Sequence, residues 1–245
     1  MCNTAALTNL IGGAGSAGQV VLTYSVNAAG PLVASFSASP TNGGAPLTVI
    51  FTDTSTGTIT NRFWNFGDGA TVNVTTTGLT HTYSFPGTNT VTLIVSDASG
   101  SSTNTQANLI VAASVDTVGD GVPDWWRAQY FGGNGATTNG SSSATSDYDN
   151  DGINNLGEYN ADTNPTNAAS RLAVTSLTIV SNQVRLIWTG GSSAWQYVEY
   201  LNSLTDTNGW KAVYTNTPPT AITNTAFDVG AGSATSRFYR IKAWR

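Results

Sequence analysis

Between residues 31 and 113, apolar and polar positions alternate in short runs: LVASFSA, PLTVIFTD, NRFWNFG, HTYSF, TVTLIVSD and ANLIVAA, parted by Gly, Pro, Asn and Ser clusters. A period of two sends alternate side chains to opposite faces, so each run predicts a half-buried strand, and their regular spacing predicts an antiparallel sandwich. Residues 170–245 return to the same pattern with LAVTSLTIV, QVRLIWT, WQYVEYL, WKAVY, AITNTAFDV and RFYRIKAW, which predict six strands. In between, from 114 to 169, the alternation lapses. Two short stretches there, PDWWRAQYF and NNLGEYN, each follow an Asp-rich loop and predict short helices; Pro123 suits a first helical turn, where its missing N–H would have had no partner. Ahead of all this, residues 1–30 are small and Gly-rich except for QVVLTYSVN at 19–27, where Val20, Leu22, Tyr24 and Val26 share one face of a solitary strand.

FWNFGDG (63–69) followed by HTYSFPGTNTVTLIVSD (81–97) resembles the polycystic kidney disease (PKD) type of immunoglobulin-like domain, whose usual signature is W-D-F-G-D-G and then H-x-Y-x-x-P-G-x-Y-x-V-x-L. The chain departs from it at Asn65, in place of the first Asp, and at Asn89, in place of the usual aromatic. The C-terminal run, with Trp188, Trp195, Trp210 and the closing RFYRIKAW, resembles the small β-domain that often follows acidic segments near the ends of secreted bacterial proteins. Its six strands are one fewer than a minimal immunoglobulin-like sandwich contains. The resulting expectation is a mainly β chain: an N-terminal extension (1–30), a PKD-like sandwich (31–113), a calcium-binding linker (114–169) and a second immunoglobulin-like sandwich (170–245).

Composition sharpens this picture. Only 9% of residues are charged and glycine is abundant (26 of 245), as expected of loop-rich β proteins that work outside the cell or on its surface. The net charge of −5 is concentrated, because eight of the fourteen acids lie within 116–162, where Arg127 is the only base. Such a chain is a poor ligand for nucleic acid or an anionic membrane, and no apolar run is long enough to span a bilayer. Cys2 is the only cysteine, which excludes an internal disulfide. The start, MCNTAALTNLIGG, lacks the basic and long apolar regions of a secretory signal, so export implies that a leader has been removed or that the gene starts further upstream.

The acidic segment carries the candidate chemistry. Counted from Asp147 as position 1, Asp149 is at 3, Asp151 at 5, Gly152 at 6, Ile153 at 7, Asn155 at 9 and Glu158 at 12, the spacing of a D-x-D-x-D-G-x₅-E calcium loop. Alternate side chains on a tight loop converge on one ion, the Ile153 carbonyl adds an oxygen, and Glu158 reaches back from the helix. A first loop keeps Asp116, Asp120, Gly121, Val122 and Asp124 at positions 1, 5, 6, 7 and 9, but has Val118 at 3 and Arg127 at 12, where the related thrombospondin type 3 and dockerin-like repeats carry acids. Two readings follow: weak calcium binding helped by water or by Asp162 and Asn164, or a structural turn in which Arg127 pairs with a neighbouring carboxylate.

Other residues read as structural. His81, the sole histidine, fits a structural hydrogen bond within the PKD-like motif, and Trp64 fits a core position. Glu158 and Glu199 are the only glutamates, so a glycosidase-like pair would have to be assembled from aspartates in turns. A zinc site lacks His and Cys, and no nucleophile, base and orienting group can be named together, so a non-enzyme is expected. Asn73 and Asn139 head N-glycosylation sequons.

The solitary strand at 19–27 has three routes: pairing within its own chain, disorder, or filling the open edge of another copy. The third, donor-strand complementation with Val20, Leu22, Tyr24 and Val26 as anchors, makes the protein the subunit of a linear or helical homopolymer stiffened by calcium. The competing expectation is a carbohydrate- or protein-binding accessory or spacer module of a secreted enzyme or adhesin, with Trp195, Tyr197 or Trp210 stacking on glycans. Exposed, coplanar rings would favour it.

Overall fold

The computed structural model of the chain describes residues 30–207 and 209–245. The run at 19–27, and with it Val20, Leu22, Tyr24 and Val26, lies outside the described residues. The fold is mainly β, with immunoglobulin-like sandwiches at either end of a short helical joint.

The first sandwich is built from β1 (Phe36–Ser39), β2 (Asn42–Gly44), β3 (Leu47–Asp53), β4 (Asn61–Asn65), β5 (Thr71–Val74), β6 (Gly78–Tyr83), β7 (Gly87–Ser96) and β8 (Ser101–Ala113). One sheet has the order β1-β3-β6, the other β2-β8-β7-β4-β5. In β3, Leu47, Val49, Phe51 and Asp53 point inward and Thr48, Ile50 and Thr52 outward, as its alternation requires. Trp64 sits at the centre, edge-on to Phe36 with ring centroids 5.1 Å apart. Asp53 is the polar exception on an inward face: its carboxylate takes the Arg62 guanidinium and the Ser55 N–H. Burial alone would raise its pKa, but Ser55 and Arg62 outweigh burial and hold the carboxyl below its ordinary range. The strands β2 and β5 have no counterpart among the sequence runs. β2 is a three-residue Asn-Gly-Gly stretch pairing in parallel with the end of β8, and β5 is an exposed edge against β4.

The joint holds α1 (Asp124–Phe131) and α2 (Asn155–Ala161). They share a small core of Val122, Trp126 and Ala144, against which Tyr130, Leu156 and Tyr159 pack. Asn154 caps α2 by accepting the Gly157 N–H at 2.9 Å, and Asp162 ends it in the left-handed conformation.

All six C-terminal runs are strands: β9 (Ala173–Val180), β10 (Gln183–Thr189), β11 (Trp195–Leu201), β12 (Lys211–Asn216), β13 (Thr223–Asp228) and β14 (Phe238–Trp244). They form two three-stranded sheets, β13-β10-β9 and β12-β11-β14. The core between them is small. Leu186, Trp188, Val198 and Ala226 are buried, and a buried Gln196 accepts the Trp188 indole N–H at 2.7 Å while donating to the Gly191 carbonyl at 2.9 Å. None of the helices among the described residues is long and apolar enough to cross a membrane.

Candidate metal centre

The loop before α2 brings Asp147, Asp149 and Asp151 together, with one carboxylate oxygen of each within 4.8 Å of the others. The backbone explains how. Asp147 accepts the Asp151 and Gly152 N–H groups, Asp149 accepts that of Asp151, and Asp151 accepts that of Ile153. These bonds fold the chain into a tight turn, which Gly152 completes at φ 94°. They also occupy one oxygen of Asp149 and one of Asp151. The second oxygens, Asp149 Oδ2 and Asp151 Oδ2, are buried and have no hydrogen-bond partner among the described residues.

Glu158 and Asn155 lie in α2, the helix this loop leads into, and Glu158 is near enough to feel the charges of Asp149, Asp151 and Asp147. Both are fully buried, and Glu158 Oε2 and Asn155 Oδ1 are likewise without a partner. Asn155 is held by its own amide, which donates to the carbonyls of Ser141 and Ser143 at 2.9 and 2.7 Å. Burial, and then the negative charges of Asp149, Asp151 and Asp147, push the Glu158 carboxyl up to about 8. Burial and the neighbouring Asp151 likewise raise Asp149. An orphaned buried carboxylate oxygen costs several kcal/mol in order of magnitude, and this one lies beside three more acids. A hard cation removes both penalties at once, and an all-oxygen donor set suits calcium rather than zinc or copper. The loop is followed by a helix but not preceded by one, since residues 132–154 are irregular, so the site is a loop-helix unit rather than a complete helix-loop-helix.

The first loop differs in charge logic. Asp116 accepts the N–H groups of Gly119 and Gly121, both at 2.8 Å, and Asp124 is taken up by Thr117. Asp120 accepts the N–H groups of Val122 and Ala144 and the Arg127 guanidinium at 2.7 Å. Arg127 is 1% exposed, and it also donates to the carbonyls of Ser142 and Gly135, both at 3.0 Å. Every carboxylate oxygen of Asp116, Asp120 and Asp124 therefore has a protein donor. Val122 is buried in the joint core. Of the two readings open for this loop, the geometry favours the structural turn: Arg127 stands where a position-12 acid would, with the charge inverted.

The joint touches both sandwiches. Trp125 packs on Phe85 of the first, with centroids 5.7 Å apart, and lies under the guanidinium of Arg245, which follows β14. Arg245 also pairs with Asp162, whose other oxygen accepts the Ser193 N–H at 2.7 Å. A Cβ at Gly191 would stand 1.9 Å from the Asp162 carbonyl oxygen, so only glycine allows this approach.

The aromatic candidates lie on the outer face of sheet β12-β11-β14. Trp195 pairs in register with Trp244, and these are 40% and 47% exposed. Tyr197 and Trp244 lie 4.8 Å apart but tilted by 39°, and Trp210 sits under Arg240 at 4.3 Å. Exposure favours a binding face; coplanarity is not met. His81 stacks on Phe66 at 4.0 Å and pairs with Asp68 at 2.7 Å, a structural position. Asn73 and Asn139 are both exposed.

Comparison with known proteins places residues 28–112 in a match to the PKD domain. Among solved structures, the PKD1 domain from Vibrio cholerae metalloprotease PrtV is 30% identical, covering 33% of this chain and 98% of that one, with a TM-score of 0.29. The PKD1 domain of Vibrio anguillarum Epp is 24% identical, covering 35% and 99%, with a TM-score of 0.30. A structure described as concerning the promiscuous specificity of carbohydrate-binding modules from the β-sandwich superfamily covers 86% of this chain and 95% of its own at 17% identity and a TM-score of 0.32. No curated protein matches the chain. PKD domains are typical of extracellular or secreted bacterial proteins and are generally non-catalytic. Over residues 28–112, which take in the first sandwich and its FWNFGDG turn, the chain matches the PKD domain family.

Proposed function

We propose that this protein is a non-catalytic extracellular spacer and accessory module whose two sandwiches are set at a fixed angle by a calcium ion in the joint. The observation that carries the reading is the meeting of the Asp147, Asp149 and Asp151 carboxylates within 4.8 Å, beside a Glu158 that feels their charge, with Asp149 Oδ2, Asp151 Oδ2, Asn155 Oδ1 and Glu158 Oε2 all buried and without a partner among the described residues. Asp147, Asp149, Asp151, Asn155 and Glu158 are the side chains that would hold the ion, with the Ile153 carbonyl as a further oxygen. The ion turns a self-repelling loop into a rigid one. Because Glu158 lies in α2 and Asp162 at its end holds Ser193 and Arg245, loop order is transmitted to the second sandwich. A PKD domain of PrtV belongs to a metalloprotease, which supports a role beside an enzyme. Extracellular modules of this kind bind calcium at about 10⁻⁴ to 10⁻³ M, so calcium outside the cell keeps the site filled.

Small-angle scattering of the full chain, titrated with calcium and then with chelator, tests this. The reading expects a narrower distribution of dimensions with calcium, reversed by chelation, and a calorimetric stoichiometry of one. Identical scattering curves together with no heat of binding would end it. Glycans are the ligand class that fits Trp195 and Trp244, and loss of polysaccharide retardation in affinity electrophoresis on Trp244→Ala is the check. A second reading, a self-assembling subunit, is favoured by one specific feature of β9.

A further inference from the structure

Among the described residues, β9 is an edge strand whose inward face is not covered. Cα pairing sets Leu177 opposite Leu186, Ile179 opposite Val184 and Val174 opposite Trp188. Paired residues in an antiparallel sheet point to the same side, so Val174, Leu177 and Ile179 face the core layer that buries Leu186 and Trp188. Yet they are 43%, 51% and 79% exposed. The opposing sheet β12-β11-β14 stops short of them, and its own edge strand β14 is the element that reaches β9. The sandwich is therefore open along one side, between two strand edges.

The chemistry of that edge is unusual. Soluble proteins blunt free edges with charges, proline or bulges. The stretch from Ala173 to Val180 contains no charge and no proline, and its single irregularity, beside Val174, leaves Ser176–Val180 regular. Among the described residues, this stretch thus offers, at alternate positions, backbone groups that β10 does not take, beside exposed apolar side chains. Residues 19–27 present the reverse: an alternating sequence of strand length, apolar at Val20, Leu22, Tyr24 and Val26. Residues 1–30 as a whole contain no charged residue, so no desolvated charge opposes docking there.

We infer that the β9 edge of the C-terminal sandwich is an acceptor groove for residues 19–27 of a second copy of this chain. The docked segment adds a strand beside β9 and lays its apolar face over Val174, Leu177 and Ile179, closing the sandwich by donor-strand complementation. Donor and acceptor lie at opposite ends of the sequence, so the contact is heterologous and propagates from copy to copy. This goes beyond the spacer reading and does not depend on calcium occupancy.

Two full-length variants test it. Ile179→Lys places a charge on an exposed acceptor position and leaves the donor intact; Leu22→Lys spoils the donor and leaves the acceptor intact. By light scattering with electron microscopy, the unmodified chain is expected as multimers of many copies and each variant alone as monomers. An equal mixture of the two variants is expected at twice the monomer mass, because one intact donor meets one intact acceptor and growth stops. A monomeric unmodified chain overturns the proposal, whether the segment is then found paired within its own chain or not at all. Multimers that persist in Ile179→Lys, or a mixture that stays monomeric, overturn it as well. Circular dichroism of each variant shows that the comparison is between folded chains.

Discussion

Glu158→Gln is the sharpest probe of the joint, because it removes the ionisable carboxyl and almost no volume. The ligand oxygens of Asp147, Asp149 and Asp151 lie within 4.8 Å of one another. At that distance each like-charged pair costs about 1 to 3 kcal/mol, from solvent-like screening to an effective dielectric constant of about 20. Bound calcium reverses the sign. With a dissociation constant of about 10⁻⁴ to 10⁻³ M and about 10 mM calcium, linkage stabilises the folded chain by about 1.4 to 2.7 kcal/mol. For a chain of this size that is a rise in Tm of about 3 to 11 °C if the joint and its neighbours melt together. Thermal melts with calcium and with chelator are expected to show this rise in the unmodified chain. In Glu158→Gln, which loses the buried carboxylate that would close the shell, the two melts are expected to converge. Magnesium, which prefers a tight octahedron and sheds water reluctantly, is expected to stabilise less. A calcium-independent Tm in the unmodified chain, or a full calcium shift retained in Glu158→Gln, would falsify the assignment of Glu158 as a ligand.

Arg127→Gln is expected to destabilise the joint by about 3 to 5 kcal/mol, since it strips Asp120 of a buried cation, and the loss should be the same in calcium and in chelator. A calcium rescue, read by denaturant titration, would show that the first loop takes an ion after all. Asp53 has a lowered pKa, so its pairing with Arg62 contributes fully above the ordinary aspartate range and is lost as pH falls through the lowered value. Asp53→Asn is expected to lower stability at neutral pH by about 3 to 5 kcal/mol and to flatten the acid limb of the stability profile, both measurable by urea melts across pH. Trp125→Ala removes the ring shared by Phe85 and Arg245, and is expected to broaden the scattering-derived dimensions in calcium while the β-sheet circular dichroism persists. Unchanged dimensions would show that Trp125 does not fix the angle.

Strands with one dry face were legible because burial imposes a period of two. β3, β7, β10 and much of β11 carry that mark, whereas β2, an Asn-Gly-Gly stretch, and the largely exposed β5 do not. The clustering of Asp147, Asp149 and Asp151 was legible because their alternate spacing on a tight loop brings the carboxylates together. That Asn155 is fully buried was not, since its amide is held by the Ser141 and Ser143 carbonyls of a stretch without periodicity. The same stretch supplies the Ser142 and Gly135 carbonyls that hold Arg127 beside Asp120. The Asp162 and Arg245 contact joins residues 83 apart with no shared pattern, and only the folded chain brings them together.

The two loops of the joint carry their positive charge in different forms. Around Asp120 it is covalent, delivered by Arg127, and no chelator or change of medium can extract it. Around Glu158 it would be borrowed from the surroundings and returnable. The joint then has an order of failure: in calcium-poor fluid the grip on the second sandwich slackens first, while the seam against the PKD domain stays shut.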